Sequence, residues 1–190
     1  MIKWGTLLEL ARRFDSKHIL QVLYYRRNEW GRIEIDGESV DIAKEVIQHF
    51  RDSTSIRSIS KSVRTELLAA EFHDRKDYLQ LIKSAIDSRP HHPGIVFLDP
   101  DTGLEPESGN YNPTHVLRSE LAEIWQFLRS GDLLVLYQHE DNRAGAEWKD
   151  RKRLQFANAL DQFGILPENV KVAYAENIAR DVAFFFVQKS

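Results

Sequence analysis

The stretch Gly94-Ile95-Val96-Phe97-Leu98-Asp99-Pro100-Asp101-Thr102-Gly103-Leu104 contains the pattern that decides the fold. Its first part is an apolar run typical of a strand buried on both faces, and acidic and turn-forming residues follow it directly. An open α/β sheet presents side chains in this way, above the carboxyl end of a buried strand. We therefore expect any active site of this chain to lie at Asp99 and the residues that follow it.

Further apolar runs and amphipathic stretches surround this strand. Strands are predicted at residues 19–25, 56–63, 94–98, 133–137, 170–174 and 182–187, with a short alternating piece at 33–35. Helices are predicted at residues 4–14, 41–50, 74–89, 114–128 and about 147–163, with Asp41, Asp74 and Thr114 as N-caps. Continuous apolar strands between helices predict one Rossmann-like α/β domain over residues 1–190, with a mostly parallel sheet. The short connection between the last two strands predicts a C-terminal antiparallel hairpin, with its reversed strand at the sheet edge.

The composition narrows the class of protein. The chain has 190 residues, of which 42% are hydrophobic and 29% are charged, which is the balance of one ordinary globular domain. It has no cysteine, which excludes disulfides and cysteine-based metal sites. No apolar run approaches the length of about 20 residues that spans a bilayer, so we expect a cytoplasmic protein without membrane contact. The net charge of −3 gives no global attraction to nucleic acid, although a local basic face is still compatible with it.

A second polar cluster, Gln138-His139-Glu140, follows the predicted strand at 133–137. Because parallel strands end at the same edge of a sheet, we expect Asp99 and His139 to face one cleft. The residues predicted to be catalytic are Asp99, Asp101 and His139. The residues predicted to contact substrate are Thr102, Gln138 and Arg180, the last by return of the final strand to the cleft. No metal ligand set is predicted, and the oligomeric state is left open.

The order of these elements resembles the Rossmann-like fold of class I S-adenosylmethionine-dependent methyltransferases. Asp99-Pro100 is similar to the start of the Asp/Asn-Pro-Pro-aromatic motif of the amino-methyltransferase branch. Ile2-Lys3-Trp4 is similar to the Leu-Lys-His opening of ribosomal-RNA adenine methyltransferases, in which that lysine lies near the cofactor. The resemblance implies S-adenosylmethionine as cofactor, held near Lys3, Asp99 and Pro100. It also implies methylation of an amino group, such as that of a nucleic acid base, which makes nucleic acid a candidate partner.

Two positions depart from the methyltransferase pattern. Such enzymes have a Gly-rich turn after their first strand, where the backbone approaches the cofactor, but here no glycine occurs between residue 19 and Gly31. Asp101-Thr102 also replaces the second proline and the aromatic residue of the motif. The chain is similar, in addition, to an uncharacterised bacterial family with Phe-Leu-Asp-Pro-Asp-Asn/Thr-Gly-Leu and Tyr-Gln-His motifs, a resemblance that implies no reaction.

Other functions fit parts of the same pattern. A Mg²⁺-dependent nuclease or phosphodiesterase would use Asp99 and Asp101, with Glu105, His139 and Glu140 completing the site. The Asp-Pro-Asp-Thr-Gly order is also similar to the Asp-x-Asp-Gly-Thr motif of haloacid-dehalogenase-like phosphatases, with the glycine and threonine exchanged. A non-enzymatic interaction module is the third alternative, in which Asp-Pro-Asp-Thr-Gly serves only as a turn. An open, polar cleft would favour an enzyme over this last alternative.

Overall fold

The computed structural model describes residues 2–24, 32–44, 60–109, 111–140 and 148–190. The helices are α1 (Ile2–Arg13), α2 (Arg75–Asp87), α3 (Arg118–Phe127) and α4 (Trp148–Asn158). The strands are β1 (His18–Val22), β2 (Arg32–Ile35), β3 (Glu38–Asp41), β4 (Arg64–Leu68), β5 (Ile95–Leu98), β6 (Gly103–Leu104), β7 (His115–Val116), β8 (Leu133–His139), β9 (Lys171–Ala175) and β10 (Ala179–Gln188). Within these ranges, no helix combines the length and the apolar character needed to cross a membrane.

The central sheet has the strand order β4-β1-β5-β8-β10-β9. Strands β4, β1, β5 and β8 are parallel, and β10 is antiparallel to both β8 and β9. This confirms the predicted α/β fold with a mostly parallel sheet and a C-terminal antiparallel pair. One detail differs from the prediction, because the reversed strand β10 lies between β8 and β9 and therefore not at the edge.

The central strands are apolar throughout because both faces of the sheet are covered. Successive side chains of a strand point to opposite faces, so alternate residues enter two separate cores. Leu98 and Leu136 pack with the side chains of α2, α3 and α4 on one face. Phe97 and Tyr137 pack with Leu7 and other residues of α1 on the opposite face. Among the residues that the structure describes, α1 is thus the helix that covers the face of the sheet to which Phe97 and Tyr137 belong.

The order of the strands creates a switch point between β1 and β5. The chain passes from β1 to β4 on one side, returns through α2 to β5 on the other side of β1, and continues outward to β8. The connections of β1 and β5 therefore leave the carboxyl ends of these two strands in opposite directions, which is the arrangement that forms a crevice in open α/β sheets. Open α/β sheets bind their ligands in such a crevice. Asp99, the residue after β5, lies at this point.

One of the predicted helix starts is confirmed, that of α2, whereas α3, the helix that follows β5, begins later than predicted. Asp74 is the N-cap of α2, as expected, and accepts a hydrogen bond from the backbone amide of Asp77 at 3.0 Å. Thr114 does not cap α3, which begins at Arg118. Instead, the Thr114 amide donates to the Asn112 side chain at 2.9 Å. Val116, predicted to be helical, pairs with Leu104 in the two-stranded sheet of β6 and β7.

Two elements in the first third of the chain also differ. Residues 60–63 form a turn rather than a strand, because the Ser60 hydroxyl accepts from the amides of Ser62 and Val63, at 3.2 Å in each case. Strand pairing with β1 begins only at Arg64. Asp41 lies in strand β3, opposite Arg32, and does not precede a helix directly. Residues 45–50 and 56–59, which complete these two predicted elements, lie outside the described residues.

A buried ion pair joins the amino ends of the central strands. The Arg89 guanidinium lies 2.6 Å from the Asp132 carboxylate, and the two side chains are 2% and 0% exposed. Asp132 also accepts from the backbone amides of Gly94 and Arg129, both at 2.8 Å. These contacts satisfy a charge that would otherwise be costly to bury, and they fix the start of β5 beside β8.

We expect Asp132→Ala to lower the free energy of unfolding by about 3–5 kcal/mol, because it leaves the Arg89 guanidinium buried without a partner. Glu123→Ala is the matched control, since it removes a half-exposed carboxylate that pairs with Lys83 on the protein surface. It should cost less than about 1 kcal/mol. Urea denaturation of the two variants measures both values, and equal losses would contradict the role assigned to Asp132.

Candidate functional site

The Asp99 side chain is buried and held on both oxygens. Lys3 Nζ of α1 lies 2.7 Å from Oδ1, and Gln21 Nε2 of β1 donates to Oδ2 at 2.7 Å. The Asp99 amide donates to the carbonyl of Val22 at 2.9 Å, which extends the pairing of β5 with β1 by one residue. A residue that is only 8% exposed is thus placed at the switch point in one fixed orientation.

Tyr137 connects Asp99 with His139. Lys3 Nζ lies 4.2 Å from the centroid of the Tyr137 ring, a cation–π contact. The His139 ring packs edge-on against the same ring, with centroids 5.0 Å apart. Asp99 and His139 therefore lie on the face of the sheet covered by α1, in agreement with the expectation that their strand ends face the same side. Burial, together with the nearby Asp99 and Asp181 carboxylates, raises the pKa of the Tyr137 phenol.

The side chain of Gln138 holds the loop that follows Asp99. Its Oε1 accepts from the Leu104 amide at 2.8 Å, and its Nε2 donates to the carbonyls of Thr102 at 3.1 Å and His139 at 2.7 Å. Gly103 has a φ of +113°, and a Cβ atom at this position would lie 2.3 Å from Gln138 Oε1. Only glycine permits both this backbone conformation and this close approach. Gln138 was predicted to bind substrate. In the structure its side chain makes these three hydrogen bonds to backbone atoms of the protein.

The other predicted site residues have different surroundings. Pro100 is buried directly after Asp99, and Asp101 is exposed on the loop. The Thr102 hydroxyl donates to the carbonyl of Thr114 at 2.8 Å, which fastens the loop to the segment before α3. Arg180 Nε donates to the carbonyl of Glu176 at 3.3 Å, within the turn between β9 and β10. The structure thus brings Lys3, Asp99 and His139 around Tyr137, while Thr102 and Arg180 contact backbone.

The carboxylates of the nuclease hypothesis do not converge. Glu105 accepts from both the backbone amide and the Nε of Arg118, at 2.8 and 3.1 Å, at the start of α3. Asp99 points instead to α1, on the opposite face of the sheet. Among the residues that the structure describes, no group of three or more histidine, aspartate or glutamate side chains is placed to hold a metal ion. The geometry therefore offers no observation in favour of a magnesium centre.

Two residues of the site were not predicted from the sequence. Gln21 interrupts the apolar run Ile19-Leu20-Gln21-Val22 and is 2% exposed. A polar residue inside a fully buried strand requires a hydrogen-bonding partner. The interruption of an apolar run by Gln21 could therefore have indicated this residue from the sequence. Tyr137 ends an equally apolar run and has the appearance of a core residue. Its role depends on Lys3, which is distant in sequence, so no local pattern indicates it.

A groove lies elsewhere, between α1 and strands β9 and β10. Its volume is about 560 Å³, and Leu10, Val172, Ile178 and Phe186 contribute to its lining. None of the predicted site residues lines it. Specific ligand sites combine an apolar wall with a few convergent polar groups, and the charged residues of this groove, Glu9 and Arg13, pair with each other. We therefore place the candidate site at Asp99 on the basis of chemistry and topology, not of cavity size.

Comparison with known proteins gives a distant likeness among the solved structures. No protein-family model and no curated protein matches the chain. Among solved structures, the chain is similar to a DUF574 family protein from Streptomyces avermitilis, with 10% sequence identity and a TM-score of 0.47. The likeness covers 98% of this chain and 80% of that one. At this identity and score, function has to be inferred from the residues of the chain itself.

Gly103→Ala tests whether Gln138 holds the Asp99 loop. We expect it to lower the free energy of unfolding by about 2–5 kcal/mol, because it adds both backbone strain and a clash with Gln138. Gly109→Ala is the matched control, since Gly109 also has a positive φ, of +74°, but has open space where a Cβ atom would lie. It should cost about 1–2 kcal/mol, from backbone strain alone. Equal losses in chemical denaturation would show that the contact with Gln138 is unimportant.

Proposed function

We propose that this protein is an S-adenosylmethionine-dependent methyltransferase that acts on an amino group. The observation that carries the proposal is the position of Asp99, a buried and oriented carboxylate at the switch point between β1 and β5. This is where open α/β sheets bind ligands. A carboxylate there is suited to accept a hydrogen bond from an amine, and it matches the position implied by the Asp-Pro motif.

The chemistry of the surrounding groups fits the proposed cofactor. S-adenosylmethionine carries a positively charged sulfonium group, so its site must tolerate a cation. Asp99 and the face of Tyr137 already stabilise one cation, the ammonium group of Lys3. Lys3, Asp99 and Pro100 are the residues that the methyltransferase resemblance assigns to the cofactor, and all three lie at the carboxyl end of β5 or contact it.

The missing glycine after β1 is compatible with this fit. Tyr24 has a φ of +50°, so the chain takes the left-handed conformation after β1 without a glycine. Its ring is buried, with its centroid 5.7 Å from that of Phe72 and 5.4 Å from that of Tyr78. The bulky side chain is therefore packed into the core beside α2, which removes it as an obstacle to a ligand at the strand ends.

Asp99 and Gln21 have different roles in the proposed methyl transfer. When bound, S-adenosylmethionine supplies the electrophilic methyl group. Asp99 accepts a hydrogen bond from the substrate amine and orients the nitrogen lone pair toward that group. Each carboxylate oxygen accepts more than one hydrogen bond, so Asp99 can contact an amine while Gln21 still holds it. Gln21, itself only 2% exposed, fixes the orientation of Asp99 by donating to its Oδ2.

Isothermal titration calorimetry with S-adenosylmethionine tests this proposal. We expect the wild type to bind the cofactor and Asp99→Asn to bind it about 10- to 100-fold more weakly, because the variant loses the negative charge that would stabilise the positively charged sulfonium group. Asp161→Asn is the matched control, since Asp161 is an exposed aspartate in a short 3₁₀ turn remote in sequence from the site. Its affinity should equal that of the wild type. Absence of cofactor binding by the folded wild type would overturn the proposed function.

A further inference from the structure

We propose that the amino group accepted at this site is a primary alkyl amine, such as the end of a lysine-like side chain, and that Lys3 occupies its place. The identification of this amine as a methyl acceptor rests on the proposed function. As acceptor, the bound ammonium group would first release one proton to water, and the neutral amine would then form the new carbon–nitrogen bond as the carbon–sulfur bond of the donor breaks. The binding of an alkylammonium group does not, because it follows from contacts within the chain. Lys3 then acts as a competitor in cis, which a substrate amine must displace from Asp99.

The contacts of Lys3 define the chemistry that this site recognises. Its Nζ lies 2.7 Å from Asp99 Oδ1 and 4.2 Å from the centroid of the Tyr137 ring. A carboxylate on one side and an aromatic face on another are the two groups that proteins use to hold an alkylammonium ion. The nitrogen therefore has the environment of a bound ligand, although it belongs to the protein.

The shape of the site favours an amine on a narrow stem over the amino group of a nucleobase. The Asp99 side chain is only 7% exposed, whereas that of Lys3 is 31% exposed, so an unbranched chain leads from the surface to a recessed carboxylate. The Tyr137 ring is flanked by His139 at 5.0 Å and by Phe184 at 5.2 Å between centroids, both in edge-type contacts. In the structure this ring contacts the ammonium end of an unbranched chain, Lys3 Nζ, and an alkyl amine that replaces Lys3 would reproduce this contact.

The electrostatic surroundings also favour a cation. Burial contributes most to the raised pKa of Tyr137, and the carboxylates of Asp99 and Asp181 add to it. Both carboxylates therefore act on the ring that the ammonium group contacts. Acidic side chains around a single ring attract a protonated alkyl amine more strongly than a neutral base.

Chemical complementation of Lys3→Ala tests the inference. This variant keeps Cβ and removes three carbons and the nitrogen, which n-propylammonium replaces atom for atom. We expect n-propylammonium to raise the melting temperature of Lys3→Ala in a saturable manner, by about 3 °C at ten times its dissociation constant. The neutral analogue 1-propanol should have no such effect, because it lacks the charge that Asp99 and Tyr137 stabilise.

Two further variants control for non-specific effects. Lys3→Met loses the same charge but fills the space with its own side chain, so n-propylammonium should not stabilise it. Lys3→Ala combined with Asp99→Asn keeps the space and loses the carboxylate, so it should not respond either. If Lys3→Ala does not fold alone, refolding in n-propylammonium but not in 1-propanol supports the inference. Equal responses of Lys3→Ala and Lys3→Met, or no response of Lys3→Ala, would overturn it.

A methyl-transfer assay distinguishes this inference from the proposed function. With S-adenosylmethionine and the wild-type protein, we expect transfer to a lysine-containing peptide and none to an adenine-containing oligonucleotide. Transfer to the oligonucleotide alone would overturn the alkyl-amine inference and leave the methyltransferase proposal standing. Stabilisation of Lys3→Ala by n-propylammonium without any cofactor binding would have the opposite meaning, because the amine site would then be present in a protein that is not a methyltransferase.

Discussion

The constraint on which the site depends is the burial of a carboxylate at the end of β5. Asp99 is 8% exposed, and a buried charge is stable only when other groups compensate it. Lys3 and Gln21 provide this compensation from α1 and β1, which lie 96 and 78 residues away in sequence. Their contacts tie the only described helix that covers this face of the sheet to the switch point. The position of α1 and the orientation of Asp99 therefore determine each other.

The loop after Asp99 is built by a second set of contacts, on the other side of β8. Gln138 and Gly103 fit together so closely that neither tolerates much change, and the Thr102 hydroxyl adds a bond to Thr114. The loop thus has its hydrogen bonds satisfied by backbone and by Gln138. The residues of the Asp-Pro-Asp-Thr-Gly stretch therefore fall into two groups. Asp99 faces the cation and the aromatic ring, whereas Thr102 and Gly103 maintain the shape of the turn. The Asp-Pro-Asp-Thr-Gly stretch therefore combines one residue of the candidate site with residues that stabilise the turn.

The sequence predicted the strands of the central sheet more reliably than the contacts at their ends. Runs such as Ile95–Leu98 are apolar throughout, and only a strand covered on both faces requires this. Thr114 was predicted as a helix cap because threonine is a common N-cap before an apolar-periodic stretch, but pairing of Val116 with Leu104 delays the start of the helix. The partnership of Gln21 with Asp99 depends on the alignment of β1 beside β5. Such tertiary contacts leave little trace in local patterns, so the carboxyl end of β5 with Asp99 was predictable, whereas the contacts of Gln21 and Tyr137 were not.

We infer that this protein binds its ligand at the carboxyl ends of β1 and β5, beside Asp99. A crystal structure of the wild type with S-adenosylhomocysteine can locate the site, because the product keeps most of the cofactor's contacts. We expect electron density for the ligand at the carboxyl ends of β1 and β5, within contact distance of Asp99 or Pro100. Density in the apolar groove between α1 and β9, with the crevice empty, would contradict it.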